Sequence, residues 1–183
     1  MDWRIIVFVQ RPIVQRITRN ALFLALLCVV GMFSIPLGAN IKVSLQLLMV
    51  YLICFLADGV IDCLIITGAY LLLGLFAPIY AGFSSGITPT FGYVIAFVVA
   101  SPLIYFLNRL IPLPRPAKMG IASGAGLLLV YAIGTAFMCL YLDWKLGETL
   151  VVSVLPYIPF DAAKIALAIG VVMALPKNLQ PSH

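Results

Sequence analysis

The chain has 183 residues, of which 64% are hydrophobic and only 9% are charged. Soluble domains carry about 25% charged residues, so this composition excludes a water-soluble protein and predicts an all-α integral membrane protein. The formal net charge of +5 is typical of basic loops on one side of a bilayer. We therefore expect the lipid bilayer, not nucleic acid, as the partner of the charged surface.

Apolar runs long enough for membrane-spanning helices, which need about 20 residues, follow one another along the chain. Six spans are predicted, and Gly or Pro residues mark most of their ends: 19–36, 43–57, 60–80, 91–111, 119–142 and 157–176. Only Ala57, Asp58 and Gly59 separate the second span from the third, so the sequence does not define the position of this boundary sharply. No stretch between the spans is long enough for a separate domain, and 1–183 is expected to form a single membrane domain.

The segment before the first span, 1–18, mixes bulky apolar residues with arginines. This pattern is typical of a helix in the membrane interface, and we expect a cytoplasmic or interfacial segment here. A signal peptide is the alternative, because a basic start and an apolar run are followed by the small residues Gly38 and Ala39. Its removal would leave five spans whose loop charges no longer agree with one orientation.

The basic residues are distributed asymmetrically over the predicted loops. Eight of the eleven fall on one side of the membrane, namely Arg4, Arg11, Arg16, Arg19, Arg109, Arg115, Lys118 and Lys177. The other side has Lys42 and Lys145, and Lys164 lies within the last span. Because cytoplasmic loops carry an excess of Lys and Arg, we expect a multi-pass protein of the cell membrane with both termini in the cytoplasm. Asp58 and Asp62 fall on this side without basic neighbours in the sequence.

Two ionisable residues, Asp161 and Lys164, lie three positions apart in the last span. Pro159 favours a helix start, which places Asp161 in the first turn, where the helix dipole stabilises a carboxylate. Ionisable residues inside spans are rare and usually mark a site or a pathway. The same dipole disfavours Lys164, so we expect a small ligand with a carboxylate beside this lysine. The alternative is a capping aspartate with a lysine that extends to the interface.

The segment 80–93 between the third and fourth spans has three glycines, one proline, four Ser or Thr residues and no charge. A loop in water normally carries charge, and irregular backbone at membrane depth is tolerated only where protein or a cavity covers it. The segment is therefore interpreted as a lid or pocket wall on the external side. A plain external connection remains the alternative.

Small residues four positions apart in the first span, Ala21 and Ala25, let another helix approach closely. This spacing fits a contact with a second subunit, but it equally fits internal packing. The chain contains no HExxH motif, phosphate-binding GxxxxGK[ST] loop or CxxC pair. We therefore expect no enzymatic activity, no metal and no cofactor, and any ATPase that drives this protein must be another chain.

Five short stretches spread over most of the chain have counterparts in one family of membrane proteins. They are VSLQ at 43–46, YLLLGLFAPIYAG at 70–82, TPTFGY at 88–93, GTAF at 134–137 and PFDAAK at 159–164. In this order they resemble the motifs of the BioY family, the biotin-specific substrate-binding (S) components of energy-coupling factor (ECF) transporters. The chain departs from the family pattern at Thr88, Phe91, Phe137 and Phe160, where the family has glycine or tryptophan.

The resemblance implies an S-component fold of six transmembrane helices with an external pocket that binds biotin with high affinity. Carried over position by position, the implied substrate-binding residues are Asp161, Lys164, Tyr93 and Ser84, the last at the place of a family asparagine. Ala21 and Ala25 correspond to the family's contact with a transmembrane coupling subunit, which works with two cytoplasmic ATPases in ATP-driven uptake. The alternatives are an S component for another small vitamin or carboxylate, and a membrane protein that transports nothing.

Overall fold

A computed structural model of the chain describes residues 3–36 and 42–176, with side chains for 13–34 and 43–176. These residues form seven helices and one short hairpin: α1 Trp3–Met32, β1 Ser34–Pro36, β2 Lys42–Ser44, α2 Gln46–Leu56, α3 Val60–Phe76, α4 Phe91–Leu110, α5 Arg115–Leu142, α6 Leu146–Ser153 and α7 Ile158–Ala174. Within this part of the chain, three helices (α1, α4 and α5) are long and apolar enough to cross a membrane. A fourth such span results if α6 and α7, which meet at a bend of 50°, are taken together.

The first helix differs from its prediction at both ends. Instead of an interfacial segment 1–18 followed by a span 19–36, α1 is described as continuous from Trp3 to Met32. It stops short of residue 36 because Ile35 precedes a proline and is therefore biased towards extended backbone. Ile35 pairs with Val43 in the antiparallel hairpin of β1 and β2, an element that the sequence analysis did not predict.

Two further boundaries were wrong for local reasons. The third predicted span continued to residue 80, whereas α3 ends at Phe76, because Ala77 precedes Pro78 and takes extended backbone angles of −119° and 144°. The loop predicted between the fifth and sixth spans contains α6, an eight-residue helix. Its length is too short for a membrane crossing, which is why hydropathy alone did not indicate it.

The centre of the fold is α2, which packs against α1, α3, α4 and α7. Nine of its eleven residues are buried, as expected for a helix that is apolar on every face. At the periphery, α1 contacts α2, α3 and β2 and exposes Ile17, Leu22 and Val29. Exposed apolar side chains of this size are expected where a helix faces lipid or another membrane subunit.

The start of α3 is tied to α1 by a group of polar contacts that we call the Asp62 clamp. Arg16 Nε donates to Asp62 Oδ1 at 2.8 Å and to Oδ2 at 3.0 Å, and Asn20 Nδ2 donates to Oδ1 at 2.6 Å. The backbone N–H of Gly59 donates to Oδ2 at 3.0 Å. Nearby, Arg19 forms an ion pair with Asp58. Both aspartates therefore do have basic neighbours, which α1 supplies from more than 35 positions earlier in the chain.

Candidate ligand-binding site

A cavity of about 450 Å³ lies at the end of the bundle where α2, α4 and α7 begin and α5 ends. Small-molecule sites in proteins have volumes of about 300–1,000 Å³ and a few convergent polar groups in a largely apolar wall. All four side chains that the sequence analysis selected, Asp161, Lys164, Tyr93 and Ser84, line this one cavity. It therefore has the size and the mixed lining of a small-molecule site.

The two ionisable residues of the cavity form a buried ion pair. Lys164 Nζ donates to Asp161 Oδ1 at 2.6 Å, and the two residues are 7% and 4% exposed. Pro159 lies in the first turn of α7 together with Asp161, as predicted. Lys164 therefore has a carboxylate partner within the chain, and the pair is neutral as a unit. The predicted ligand carboxylate is not needed to balance the charge of Lys164.

A third member of this group, Tyr131, was not predicted. Its hydroxyl donates to Asp161 Oδ2 at 2.6 Å, so each oxygen of this carboxylate accepts one short hydrogen bond. Tyr131 lies on α5, 30 positions before Asp161, within an apolar run where a tyrosine carries no local signal. Only the packing of α5 against α7 brings the two residues together.

The segment between α3 and α4 forms one wall of the cavity. Tyr80 and Ser84 form an antiparallel bridge, and the N–H of Gly82 donates to the carbonyl of Met32 at the end of α1. Ser84 Oγ donates to the carbonyl of Ala81 at 3.1 Å, so its hydroxyl turns partly into the loop. Together with Thr88 and Thr90, which also line the cavity, Ser84 supplies hydroxyl groups and no charge.

This wall is held in place by Tyr80. Its side chain is 3% exposed, its hydroxyl donates to the carbonyl of Leu71 at 2.5 Å, and burial raises its pKa to about 12. Its ring lies directly against Gly74 of α3, so closely that a Cβ at this position would overlap the ring carbons. Glycine at position 74 is therefore explained by a close approach between α3 and the cavity wall.

A methyl group at position 74 tests this packing. Gly74→Ala is expected to lower the free energy of unfolding by about 1–3 kcal/mol, because Tyr80 cannot move away without losing its bond to Leu71. Gly68→Ala on the same helix is the control: beyond its chain neighbours and the backbone of its own helix, no described atom lies within 4 Å of its Cβ position. That change should be neutral or stabilise the helix by up to about 1 kcal/mol. Thermal unfolding of the two purified variants in detergent measures both effects, and equal stability of the two would contradict this explanation.

Tyr93 lies on the first turn of α4 and extends across the cavity towards α5 and α6. Its hydroxyl lies 3.5 Å from Thr135 Oγ1 and donates to the carbonyl of Ser153 at 3.4 Å. Its ring packs on Gly134, where a Cβ would overlap the ring. The stretch 134–137 singled out in the sequence therefore positions Tyr93 and does not itself provide a polar ligand group.

Gln46 is a second cavity residue that was not selected as a site residue, although it ends the VSLQ stretch. It is 6% exposed, and its amide Nε2 donates to the hydroxyl of Tyr70, which in turn donates to the carbonyl of Ile79 at 2.9 Å. Ser44 Oγ donates to Gln46 Oε1 at 3.1 Å. This chain of hydrogen bonds connects the hairpin, α2, α3 and the segment that carries Ser84.

Ala21 and Ala25 lie on α1, away from the cavity, and both are exposed. Within the part of the chain that the structure describes, both side chains are thus largely open to a partner. Their contact with a partner subunit stays a prediction.

Three comparisons with known proteins agree. A family model described as the BioY family matches residues 5–181. The chain is 27% identical over 169 residues to the protein named biotin transporter BioY of Thermotoga maritima, with 89% of this chain and 96% of that protein covered. It is 31% identical over 168 residues to the probable biotin transporter BioY of Pyrococcus horikoshii, with 90% and 98% covered.

The fold is also that of a solved S-component. The structure matches the crystal structure at 2.1 Å of the S-component for biotin from an ECF-type ABC transporter, with a TM-score of 0.77 and 25% sequence identity. The match covers 87% of this chain and 89% of that one. Both the fold and nearly the whole sequence thus lead to one conclusion: this chain, an integral membrane protein, belongs to the BioY family.

Proposed function

We propose that this chain is the biotin-binding membrane subunit of an ECF transporter, which captures biotin from the external side and delivers it by ATP-driven uptake. Its relatives are named as biotin transporters, not as enzymes. The observation that carries the proposal is the buried Asp161–Lys164 pair beside a cavity of about 450 Å³. Burying an ion pair costs desolvation free energy, and a ligand with matching donors and acceptors explains why the pair is kept.

For the membrane arrangement we propose six crossings, made by α1 to α5 and by α6 together with α7. Although α2 has only eleven residues, nine of them are buried, so protein and not lipid surrounds this short helix. Six crossings place both termini on one side, and the excess of basic residues there assigns this side to the cytoplasm. The cavity then lies at the external end of the bundle, where Tyr93, Ser84 and the start of α7 meet.

The neutrality of the ion pair supports one orientation of biotin in the cavity. The ureido ring of biotin has two N–H donors and one C=O acceptor, which match the carboxylate of Asp161 and the ammonium of Lys164. A ligand carboxylate beside Lys164 would instead place two anions around one cation in a buried site, at a large desolvation cost. We therefore assign the ureido ring to the pair.

The valerate tail of biotin then extends towards the segment with Ser84, Thr88 and Thr90. Thr90 is exposed and the other two are half-buried, so a carboxylate there keeps much of its hydration. Hydroxyl groups can donate to this carboxylate, and water can reach it through the external opening. No basic side chain is required.

Binding of biotin and of biotinamide, in which the carboxylate is replaced by a neutral amide, tests both the function and the orientation. We expect the purified protein to bind biotin, and biotinamide to bind less than about fivefold more weakly, because a solvated charge contributes at most about 1 kcal/mol. Isothermal titration measures both. Absence of biotin binding at micromolar concentration would refute the function, whereas a loss of 100-fold or more for biotinamide would refute only the orientation.

As partners we propose a transmembrane coupling subunit and two cytoplasmic ATPases. The ATPases supply the energy for uptake, because the sequence of this chain contains no phosphate-binding GxxxxGK[ST] loop. The exposed strip of Ala21 and Ala25 on α1 supports a contact with the coupling subunit, because small side chains allow another helix to come close. Apolar side chains beside the strip, such as Leu22 and Val29, are exposed as well.

A further inference from the structure

Tyr51 has an unusual environment for a tyrosine. It lies in the middle of α2 and is 0% exposed, yet in the described ranges 3–36 and 42–176 its hydroxyl has no hydrogen-bond partner. Buried hydroxyl groups are almost always paired, since an unpaired one loses its hydration without compensation. An apolar ring of the same shape, phenylalanine, would avoid this loss, so the hydroxyl calls for an explanation.

The position of Tyr51 relates it to the ligand cavity. It lies one helical turn after Leu47, which lines the cavity, and residues four apart share one face of a helix. This helix packs against α7, and Tyr51 interacts electrostatically with Asp161 and with Tyr131. Tyr51 thus lies on the face of α2 that carries Leu47, within electrostatic range of the residues that form the ion pair, although it does not line the cavity itself.

The acceptor capacity of Asp161 leaves room for a further donor. A carboxylate accepts about four hydrogen bonds, and Asp161 accepts one from Lys164 and one from Tyr131. A ligand carbonyl that accepts from Lys164 competes with Asp161 Oδ1 for the ammonium and loosens this contact. The Asp161 side chain is then free to shift towards the hydroxyl of Tyr51 and to accept from it in addition to the ligand N–H groups.

We propose that Tyr51 is a positioning residue of the ligand-bound state, whose hydroxyl donates to Asp161 when the ligand engages Lys164. This inference rests on the proposed function, because it requires a ligand acceptor at Lys164. Without ligand the Tyr51 hydroxyl has no partner among the described residues, and in the bound protein it holds the Asp161 carboxylate in the orientation that accepts the ligand N–H groups. Part of the cost of the unpaired hydroxyl is thereby recovered on binding, which favours the bound state.

The test is Tyr51→Phe in the full-length purified protein. We expect the melting temperature of the ligand-free variant to equal or exceed that of the wild type, because only an unpaired hydroxyl is removed. Biotin affinity is expected to fall by about tenfold or more, as for loss of a hydrogen bond to a charged group. Thermal unfolding without ligand and isothermal titration with biotin give the two quantities separately.

Two matched tyrosine variants serve as controls. Tyr131→Phe removes a hydroxyl that is already paired with Asp161, so it should lower both the ligand-free melting temperature and the affinity. Tyr105→Phe removes a buried hydroxyl that donates to the carbonyl of Asp58, at the other end of the bundle. This variant should lower the melting temperature and leave the affinity unchanged. In an Asp161→Asn background, Tyr51→Phe should change the biotin affinity by less than about twofold.

Three results would overturn the inference while leaving the proposed function intact: unchanged biotin affinity of Tyr51→Phe, a ligand-free melting temperature lowered as much as in Tyr131→Phe, or the same loss of affinity in the Asp161→Asn background. The last would mean that Tyr51 acts independently of Asp161. Failure of the wild type to bind biotin would instead overturn the proposed function, and this inference with it.

Discussion

Lys164→Met is expected to lower the free energy of unfolding by about 3–5 kcal/mol, because it leaves the carboxylate of Asp161 buried without its cation. Asp161 is 4% exposed, and the remaining bond from Tyr131 compensates only in part. Biotin affinity is expected to fall by roughly 100-fold or more, the usual cost of truncating one partner of a buried charge pair at a binding site. Thermal unfolding in detergent and isothermal titration measure the two effects.

A double variant separates stability from binding. Asp161→Asn combined with Lys164→Met removes both charges, and since neutral replacement of a buried pair is often stabilising or neutral, most of the lost stability should return. Binding should not return, because both ligand partners are gone. If the pair were only a helix cap with a lysine extending to the interface, the double variant would bind biotin as the wild type does.

Lys145→Met is the matched control for these variants. Lys145 is exposed and precedes α6, so the same chemical change there removes a solvated charge that faces no ligand. Neither stability nor affinity should change measurably. A loss of affinity in this variant as large as that of Lys164→Met would show that net charge, not the buried pair, controls binding.

The long helices were predicted well from the sequence because their signal is local. The span predicted at 91–111 agrees with Phe91–Leu110, and the last one, 157–176, agrees with Ile158–Ala174. Apolar runs, Pro and Gly residues determine such boundaries within a few residues. The hairpin Ser34–Pro36 with Lys42–Ser44 and the helix Leu146–Ser153 were missed, because such short elements are stabilised by contacts with the rest of the fold.

The residues of the candidate site, like the helices, were predicted only in part. That Asp161 and Lys164 share one helix face was predictable because three positions separate neighbours on a face. Tyr131 and Gln46 were not found, since their roles depend on the packing of α5 against α7 and of α2 against α3. The pairing of Lys164 with Asp161 was also underestimated, because spacing alone does not determine where an ammonium group lies.

At the opposite end of the bundle, Asp62→Ala is expected to lower the free energy of unfolding by about 2–3 kcal/mol. Asp62 is 2% exposed, and its two oxygens accept from Arg16, Asn20 and the N–H of Gly59. Hydrogen bonds to a charged group contribute about 1.5–3 kcal/mol each, but Arg16 is 45% exposed and regains hydration when its partner is lost. The net loss is therefore smaller than at Lys164.

Asp58→Asn provides the control for this variant. Asp58, in the loop just before α3, pairs with Arg19 of α1, but the two side chains are 46% and 34% exposed. An ion pair of this exposure contributes about 0–1 kcal/mol, so the variant should unfold nearly as the wild type does. If Asp58→Asn and Asp62→Ala destabilised the protein equally, the buried carboxylate of Asp62 would not be the group that holds α3 against α1.

If α1 is the contact with the coupling subunit, loss of the Asp62 clamp should reduce biotin uptake more than biotin binding. The clamp fixes α1, and with it the strip of Ala21 and Ala25, against the start of α3, whereas the ligand cavity lies at the other end of the bundle. Asp62→Ala should therefore bind biotin within about twofold of the wild type but deliver less of it into vesicles that contain the complete transporter. Equal losses of binding and uptake would instead indicate that the clamp stabilises the whole bundle, because only a change confined to α1 leaves the cavity intact.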